Sequence, residues 1–156
     1  MNSEHTNHIK LDKLGDKEID KVVDIWYRTS VQCHDFVEPD FWHSCKEDMR
    51  EKYIPNSETY VAKYRDEIAG FISLAGDQLA AIFVLPEYQG MGIGQSLLQE
   101  AFRNRKSLML NVFEKNQKAK DFYLKNGFEE VRRGTDEHTG ESEIIMQRTA
   151  GSDPNQ

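Results

Sequence analysis

The stretch that decides the fold is Val84-Leu85-Pro86-Glu87-Tyr88-Gln89-Gly90-Met91-Gly92-Ile93-Gly94, which joins a predicted strand to a predicted helix. The strand is the apolar run 79–85, and the helix begins within the glycines. Glycines let a backbone turn tightly and approach a ligand without Cβ clashes, and the start of a helix offers unpaired N–H groups. A strand, a Gly-rich turn and a helix start therefore predict an anion site, typically for phosphate or pyrophosphate.

Two common phosphate-binding motifs do not fit this turn. A dinucleotide fingerprint needs G-x-G-x-x-G, whereas the glycines here are at 90, 92 and 94 and Gln95 follows. A P-loop needs Gly-Lys-Ser or Gly-Lys-Thr at its end, and the turn has neither. A nucleotide binder on another α/β fold is therefore the weaker alternative.

The rest of the chain alternates between predicted strands and helices in the order β-α-α-β-β-β-α-β-α-β-β. We predict a first helix with Asp16 near its N-cap, and a second from Pro39 that continues through Met49 towards Pro55. Without alternation, the run 79–85 is typical of a central strand covered on both faces. The predicted strands are 9–14, 59–64, 68–74, 79–85, 108–113, 128–132 and 143–147. We expect one domain over residues 7–149 and a frayed tail over 150–156.

A second motif follows the Gly-rich turn after one helix and one strand. It reads Asn116-Gln117-Lys118-Ala119-Lys120-Asp121-Phe122-Tyr123-Leu124-Lys125-Asn126-Gly127-Phe128. The two motifs, in this order, resemble the signatures of the GNAT N-acetyltransferases, in particular small bacterial members. The resemblance covers nearly the whole chain and implies an α/β fold with a mixed, mostly antiparallel central sheet flanked by helices.

The resemblance also implies an activity and a set of site residues. It implies that acetyl-CoA is the co-substrate, lying in a V-shaped gap between strands 79–85 and 108–113, and that a primary amine attacks the thioester directly. Tyr123 would be the general acid that protonates the leaving thiolate. A catalytically silent acyl-CoA-binding module is the alternative. The implied cofactor contacts are Phe83, Val84, Gln89, Gly90, Met91, Gly92, Ile93, Gly94, Gln95 and Asn116.

The general base is where the chain departs from the family. Many members carry a Glu on the central strand, but the run 79–84 contains no carboxylate. The alternatives are Asp77, His34, Asp35, His43 or a water chain.

The segment 25–36 with Phe41-Trp42 resembles a subset of small GNAT proteins whose first two helices cover the acceptor site. The resemblance makes four side chains candidates for lining that site, and a residue on the hairpin strand, expected to face the gap, is a fifth. Core packing is the competing interpretation for aromatic residues at helical spacing. The candidates are Trp26, His34, Phe36, Trp42 and Phe71.

Metal and thiol chemistry are weaker interpretations of the same region. Cys33, His34, His43 and Cys45 are zinc-ligating types, but there is no Cys-x-x-Cys, and two adjacent helical residues do not readily converge on one ion. We therefore expect no metal. A nucleophilic cysteine needs an electropositive environment, which the sequence does not indicate.

Composition restricts the partners of the chain. Its 156 residues carry a net charge of −7, which disfavours a duplex nucleic-acid binder and permits cationic acceptors: protein lysines, N-terminal amines, polyamines or amino-sugar drugs. The longest apolar run is too short for a membrane span, and residues 1–10 lack an apolar signal region. With only two cysteines, we expect a cytoplasmic protein. The sequence leaves open whether it is a monomer or a homodimer.

Overall fold

Seven strands form one mixed sheet in the computed structural model, which describes residues 8–149. The order across the sheet is β1-β2-β3-β4-β5-β7-β6, and every neighbouring pair is antiparallel except β4 with β5. The prediction of a mixed, mostly antiparallel sheet is confirmed. Residue 7 and the predicted tail 150–156 lie outside the described residues. The strands are β1 (Ile9–Lys13), β2 (Glu58–Tyr64), β3 (Glu67–Ala75), β4 (Gln78–Val84), β5 (Ser107–Phe113), β6 (Glu129–Thr135) and β7 (Ser142–Thr149).

Four main helices accompany the sheet: α1 (Ile19–Cys33), α2 (Pro39–Ser44), α3 (Ile93–Arg103) and α4 (Gln117–Lys125). Asp16 lies near the start of the first helix as predicted, in a 3₁₀ turn, Asp16–Glu18, that leads directly into α1 at Ile19. The predicted second helix is not continuous. It ends at Ser44 and is followed by a short α-helical piece, Lys46–Asp48, and a π-helical turn, Met49–Tyr53. Within residues 8–149, no helix has the length and apolarity to cross a membrane.

Two hydrophobic cores pack the helices onto the sheet. The first contains the apolar face of α3, with Leu97 and Leu98 almost fully buried, together with Tyr123 of α4. The second contains the apolar face of α1 and the indole of Trp42 on α2. Residues 68–74 of β3 are buried along their whole length, as expected for a strand that contributes to both cores.

The β4–β5 pair positions the site because these two strands meet at only one end. Among the described residues, their one register pair is Gln78 with Met109, and the Met109 N–H donates to the Asp77 carbonyl over 2.9 Å. Ala80 is a bulge, since its neighbours Leu79 and Ala81 pair with consecutive β3 residues. The prediction that β4 is buried on both faces is therefore wrong, because Ala80 is exposed and residues 81–84 are half-buried.

Candidate active site

The Gly-rich turn has a backbone that only glycine adopts easily. A 3₁₀ turn, Pro86–Tyr88, leads into Gly90 with φ of 87° and Gly92 with φ of 82°, both in the left-handed region. A Cβ built on either glycine meets nothing within 4 Å. These glycines are thus required by the backbone conformation, and the space beside them is open.

The first turn of α3 presents unpaired amides at this turn. Gly92 is the N-cap and supplies no side-chain cap, and the first helical bond is the Ser96 N–H to the Gly92 carbonyl at 3.1 Å. The N–H groups of Ile93, Gly94 and Gln95 therefore have no intrahelical acceptor. Amides at the positive end of a helix, beside an open Gly-rich turn, fit the anionic pyrophosphate of acetyl-CoA.

Gln89 joins the turn to both β4 and α4. Its Nε2 donates to the Val84 carbonyl at 3.0 Å, and its Oε1 accepts a hydrogen bond from the Lys118 ammonium. Its own backbone N–H donates to the Pro86 carbonyl at 3.2 Å. Gln89 therefore holds the turn against β4 and α4, and one of its hydrogen bonds goes to Val84, a residue for which the resemblance implies a cofactor contact.

Gly94 has a packing role that the sequence motif did not reveal. A Cβ built at this position would lie 3.0 and 3.1 Å from two ring carbons of Phe122 on α4. The missing side chain thus lets the start of α3 approach α4 closely. The aromatic residue of the second motif and the last glycine of the first motif were the sequence signals for this contact.

Asn116 connects α4 to the first two helices. Its Oδ1 accepts the Ala119 N–H at 3.2 Å, so Asn116 is the N-cap of α4. Its Nδ2 lies 3.1 Å from the Nε2 of His34. One side chain therefore caps the helix that bears Tyr123 and also contacts the end of α1.

Tyr123 lies in the first core with 9% of its surface exposed. Its ring makes edge contacts with Phe122 and Phe128, each at 5.5 Å between centroids. Burial raises the pKa of the phenol well above its usual value near 10, so the hydroxyl is protonated at neutral pH. Among residues 8–149 the hydroxyl has no hydrogen-bond partner, so its proton is not committed elsewhere.

Side chains from α1, α2 and the segment between them form an aromatic cluster, which we call the cover (Trp26, His34, Phe36 and Trp42). The His34 ring lies 5.7 Å from Phe36 and 5.3 Å from Trp42. Trp26 contacts Trp42 edge-on at 5.9 Å. Burial lowers the pKa of His34 to about 4, so its imidazole is neutral at physiological pH. The structure brings these four predicted residues together.

Phe113, at the end of β5, completes the cover and was missed by the sequence analysis. Its ring lies 4.9 Å from His34 and 5.4 Å from Phe36. The available signal was the period of β5: Leu110 and Val112 point into the first core, so Phe113 points to the opposite face.

Phe71 does not lie where the sequence analysis expected it. It is fully buried in the second core, with its ring 5.9 Å from Phe83 of the neighbouring strand. The expectation that its side chain faces the gap is therefore wrong, because Phe71 packs among core side chains.

Two of the candidate bases are poorly placed for proton transfer. Asp77 lies where β4 and β5 are paired, not where they diverge, and its exposed carboxylate is 4.0 Å from Arg105. His34 is buried and contacts Asn116 through Nε2. Asp35 and His43 are exposed at the cover. Within residues 8–149, no three His, Cys, Asp or Glu side chains are grouped so that they hold a metal ion.

A pronounced surface cleft lies away from this site. Leu11, Tyr60, Asn104 and Arg105 are among its lining residues. Asn104 ends α3, whereas the Gly-rich turn begins it, so about 16 Å of helix separates the two. The cleft contains no residue of either sequence motif.

Comparisons with known proteins agree with this geometry. Residues 55–130 match the acetyltransferase (GNAT) domain family. The chain is 33% identical over 112 residues to the peptidyl-lysine N-acetyltransferase YiaC of Escherichia coli, covering 71% of this chain and 77% of that protein. The chain belongs to the GNAT acetyltransferase family. A GNAT relative from the same organism, the peptidyl-lysine N-acetyltransferase YjaB, is 33% identical over 118 residues, which are 75% of this chain and 80% of YjaB.

Solved GNAT structures share the fold over most of the chain. The solution structure of apo-form YjaB from Escherichia coli has a TM-score of 0.78 at 28% identity, covering 89% of this chain and 96% of that one. A GNAT structure from Rhodopseudomonas palustris has a TM-score of 0.77 at 19% identity, and the match covers 90% of this chain and 94% of that one. This GNAT chain is therefore an N-acetyltransferase that transfers an acetyl group from acetyl-CoA to an amine. The alternative of a catalytically silent module is not favoured, because these relatives are enzymes.

Proposed function

We propose that this GNAT enzyme acetylates the ε-amino group of lysine side chains in proteins. The observation that carries the proposal is that the start of α4 contacts both parts of the site. Lys118 contacts the Gly-rich turn, which we call the cofactor turn from here on, and Asn116 contacts the cover. An acceptor lying against the cover then lies near the acetyl group. The lysine class is supported by the two relatives named as peptidyl-lysine N-acetyltransferases.

The proposed cofactor contacts are the open backbone of the turn and the first amides of α3. The N–H groups of residues 93–95 bind pyrophosphate oxygens, and Gly90 and Gly92 allow its close approach. Gln89 holds the turn in place through its hydrogen bonds to Val84 and Lys118. Asn116 contacts the pantetheine arm. Met91, Phe83 and Val84 border the same region.

The proposed chemistry is direct attack of a neutral amine on the thioester carbonyl. Tyr123, which its raised pKa keeps protonated at neutral pH, donates its proton to the departing thiolate as the C–S bond breaks, and the phenol regains a proton from solvent before the next turnover. The proton of the attacking amine passes to water. Trp26, His34, Phe36 and Trp42 belong to the acceptor side of the site.

Four wider assignments complete the proposal. We propose a single catalytic domain over residues 7–149, acting in the cytoplasm as a monomer or homodimer, with no nucleic-acid partner. The net charge of −7 favours cationic acceptors over polyanions.

The experiment compares acceptor classes under one assay. Release of free CoA thiol is followed with acetyl-CoA and an N-terminally blocked peptide containing one lysine, the same peptide with arginine in its place, an unblocked lysine-free peptide, and spermidine. We expect turnover with the lysine peptide alone, and mass spectrometry should place the acetyl group on Nζ. Turnover only with spermidine or a free N-terminus would overturn the lysine assignment.

A further inference from the structure

The contact between Asn116 and His34 joins two parts of the site that are 82 residues apart in sequence. His34 ends α1, where its backbone N–H donates to the Ser30 carbonyl at 2.9 Å. Asn116 begins α4. A single hydrogen bond between side chains therefore ties the cover to the helix that carries Tyr123.

The helix cap determines the direction of this hydrogen bond. Because the Asn116 Oδ1 accepts the Ala119 N–H, the group that faces His34 is the Nδ2 amide nitrogen, which can only donate. The Nε2 of His34 must then be the acceptor, so in the neutral ring the proton lies on Nδ1. The Nδ1 atom is buried and has no partner among the described residues.

Fixing one side of the Asn116 amide also fixes the other. An amide is planar and its nitrogen carries two hydrogens. Once Oδ1 is held by the cap and one N–H by His34, the second N–H has a single direction. That second N–H has no acceptor within residues 8–149, so it is available to a ligand. His34 itself is held in place by the surrounding rings of Phe36, Trp42 and Phe113.

We propose that His34 is a positioning residue for the cofactor: its Nε2 orients the Asn116 amide so that the second N–H of that amide contacts bound acetyl-CoA. This role rests on the proposed contact between Asn116 and the cofactor. It moves His34 from the acceptor side to the cofactor side of the reaction, although its ring lies in the cover.

The test measures CoA affinity by titration calorimetry in five variants, one of them a double variant. His34→Leu fills the space without an acceptor atom, and His34→Gln returns an acceptor oxygen near the position of Nε2. We expect His34→Leu to weaken CoA binding about fivefold to tenfold, the effect of one hydrogen bond, and His34→Gln to recover most of it. The acceptor KM at saturating acetyl-CoA should change less than about twofold. His8→Leu, far along the chain on the β1 side, is the matched control and should bind CoA normally.

A double-variant cycle distinguishes this role from simple packing. Asn116→Ser keeps a capping oxygen but removes the amide, and in that background His34→Leu should cause no further loss of CoA affinity. If Asn116→Ser leaves CoA affinity unchanged, both the cofactor role of Asn116 and the role of His34 are wrong. If Asn116→Ser weakens binding and His34→Leu does not, or if His34→Leu raises only the acceptor KM, the role of His34 alone is overturned.

A measurement on the unmodified enzyme covers the case in which His34→Leu does not fold. The ¹⁵N chemical shifts of the imidazole distinguish the two neutral tautomers at neutral pH. We expect the tautomer with its proton on Nδ1. A ring protonated on Nε2 would show that the Asn116 amide does not donate to it, and the proposal would be overturned.

Discussion

Replacing Gly92 with alanine tests the cofactor turn directly. Gly92 has φ of 82°, and a Cβ there meets nothing within 4 Å, so the entire penalty is one of backbone conformation. Holding a residue with a Cβ in the left-handed region costs about 1–2 kcal/mol. This is a noticeable part of the roughly 5–15 kcal/mol by which a domain is stable, but Gly92→Ala should still fold.

The consequence for binding is larger than the consequence for folding. We expect the chain to relieve part of the strain by rotating the peptide that leads into Ile93, which would redirect the first N–H groups of α3. Losing one hydrogen bond to a charged phosphate is worth about 1.5–3 kcal/mol, so we expect CoA to bind roughly 10- to 100-fold more weakly. Titration calorimetry measures the affinity, and urea unfolding measures the stability.

Gly76 provides a matched control on the same chain. It lies between β3 and β4 with φ of 61°, and a Cβ there also meets nothing within 4 Å. Gly76→Ala should therefore lose a similar amount of stability and leave CoA affinity unchanged. The reasoning is refuted if Gly92→Ala binds CoA normally, or if Gly76→Ala weakens binding as much as Gly92→Ala does.

Three further predictions concern Tyr123, the cover and pH. Tyr123→Phe keeps the ring contacts with Phe122 and Phe128, so its melting temperature should change little while kcat falls about 10²- to 10⁴-fold; a near-normal kcat would contradict the acid role. Phe36→Ala should raise the acceptor KM more than it changes CoA affinity, and weakened CoA binding alone would remove Phe36 from the acceptor side. The pKa of His34 is lowered to about 4 from 6.5, so the folded state loses up to about 3 kcal/mol as the pH falls from 6.5 to 4. The free energy of unfolding, measured with urea at several pH values in that range, should fall less steeply with decreasing pH in His34→Gln. An equally steep fall would show that other groups are responsible.

Local signals in the sequence were enough for the cofactor turn and for α4. The clustered glycines at 90 and 92 form the tight turn that the sequence predicts, both with positive φ, and Asn116, the first residue of the second motif, caps α4. Gly127, also in the second motif, has φ of 91° and follows the end of α4, where glycine is favoured. Each of these features depends on a few neighbouring residues, so a single sequence is sufficient to predict it.

The errors concern features that depend on the whole sheet. The apolar run of β4 was interpreted as a strand covered on both faces, but β3 is the strand that is buried throughout. Since β3 has no alternation of buried and exposed residues, its sequence does not show which face bears Phe71. The π-helical turn at Met49–Tyr53 depends on a hydrogen bond from the Ile54 N–H to the Met49 carbonyl, which no residue type specifies. The pairing of Asn116 with His34 likewise depends on the tertiary fold.

The fate of the two protons explains why the chain can lack a carboxylate on β4. In the proposed mechanism the leaving thiolate gains a proton from Tyr123, whose buried phenol is kept protonated by its raised pKa. The attacking amine must lose a proton, and His34 is unsuited to take it because its Nε2 lone pair already accepts from Asn116. Asp77 lies at the paired end of β4 and β5, away from the diverging strands. With Asp77 and His34 unsuited, the proposed base is water at the acceptor side, and the exposed Asp35 and His43 at the cover are the side chains that remain as alternatives.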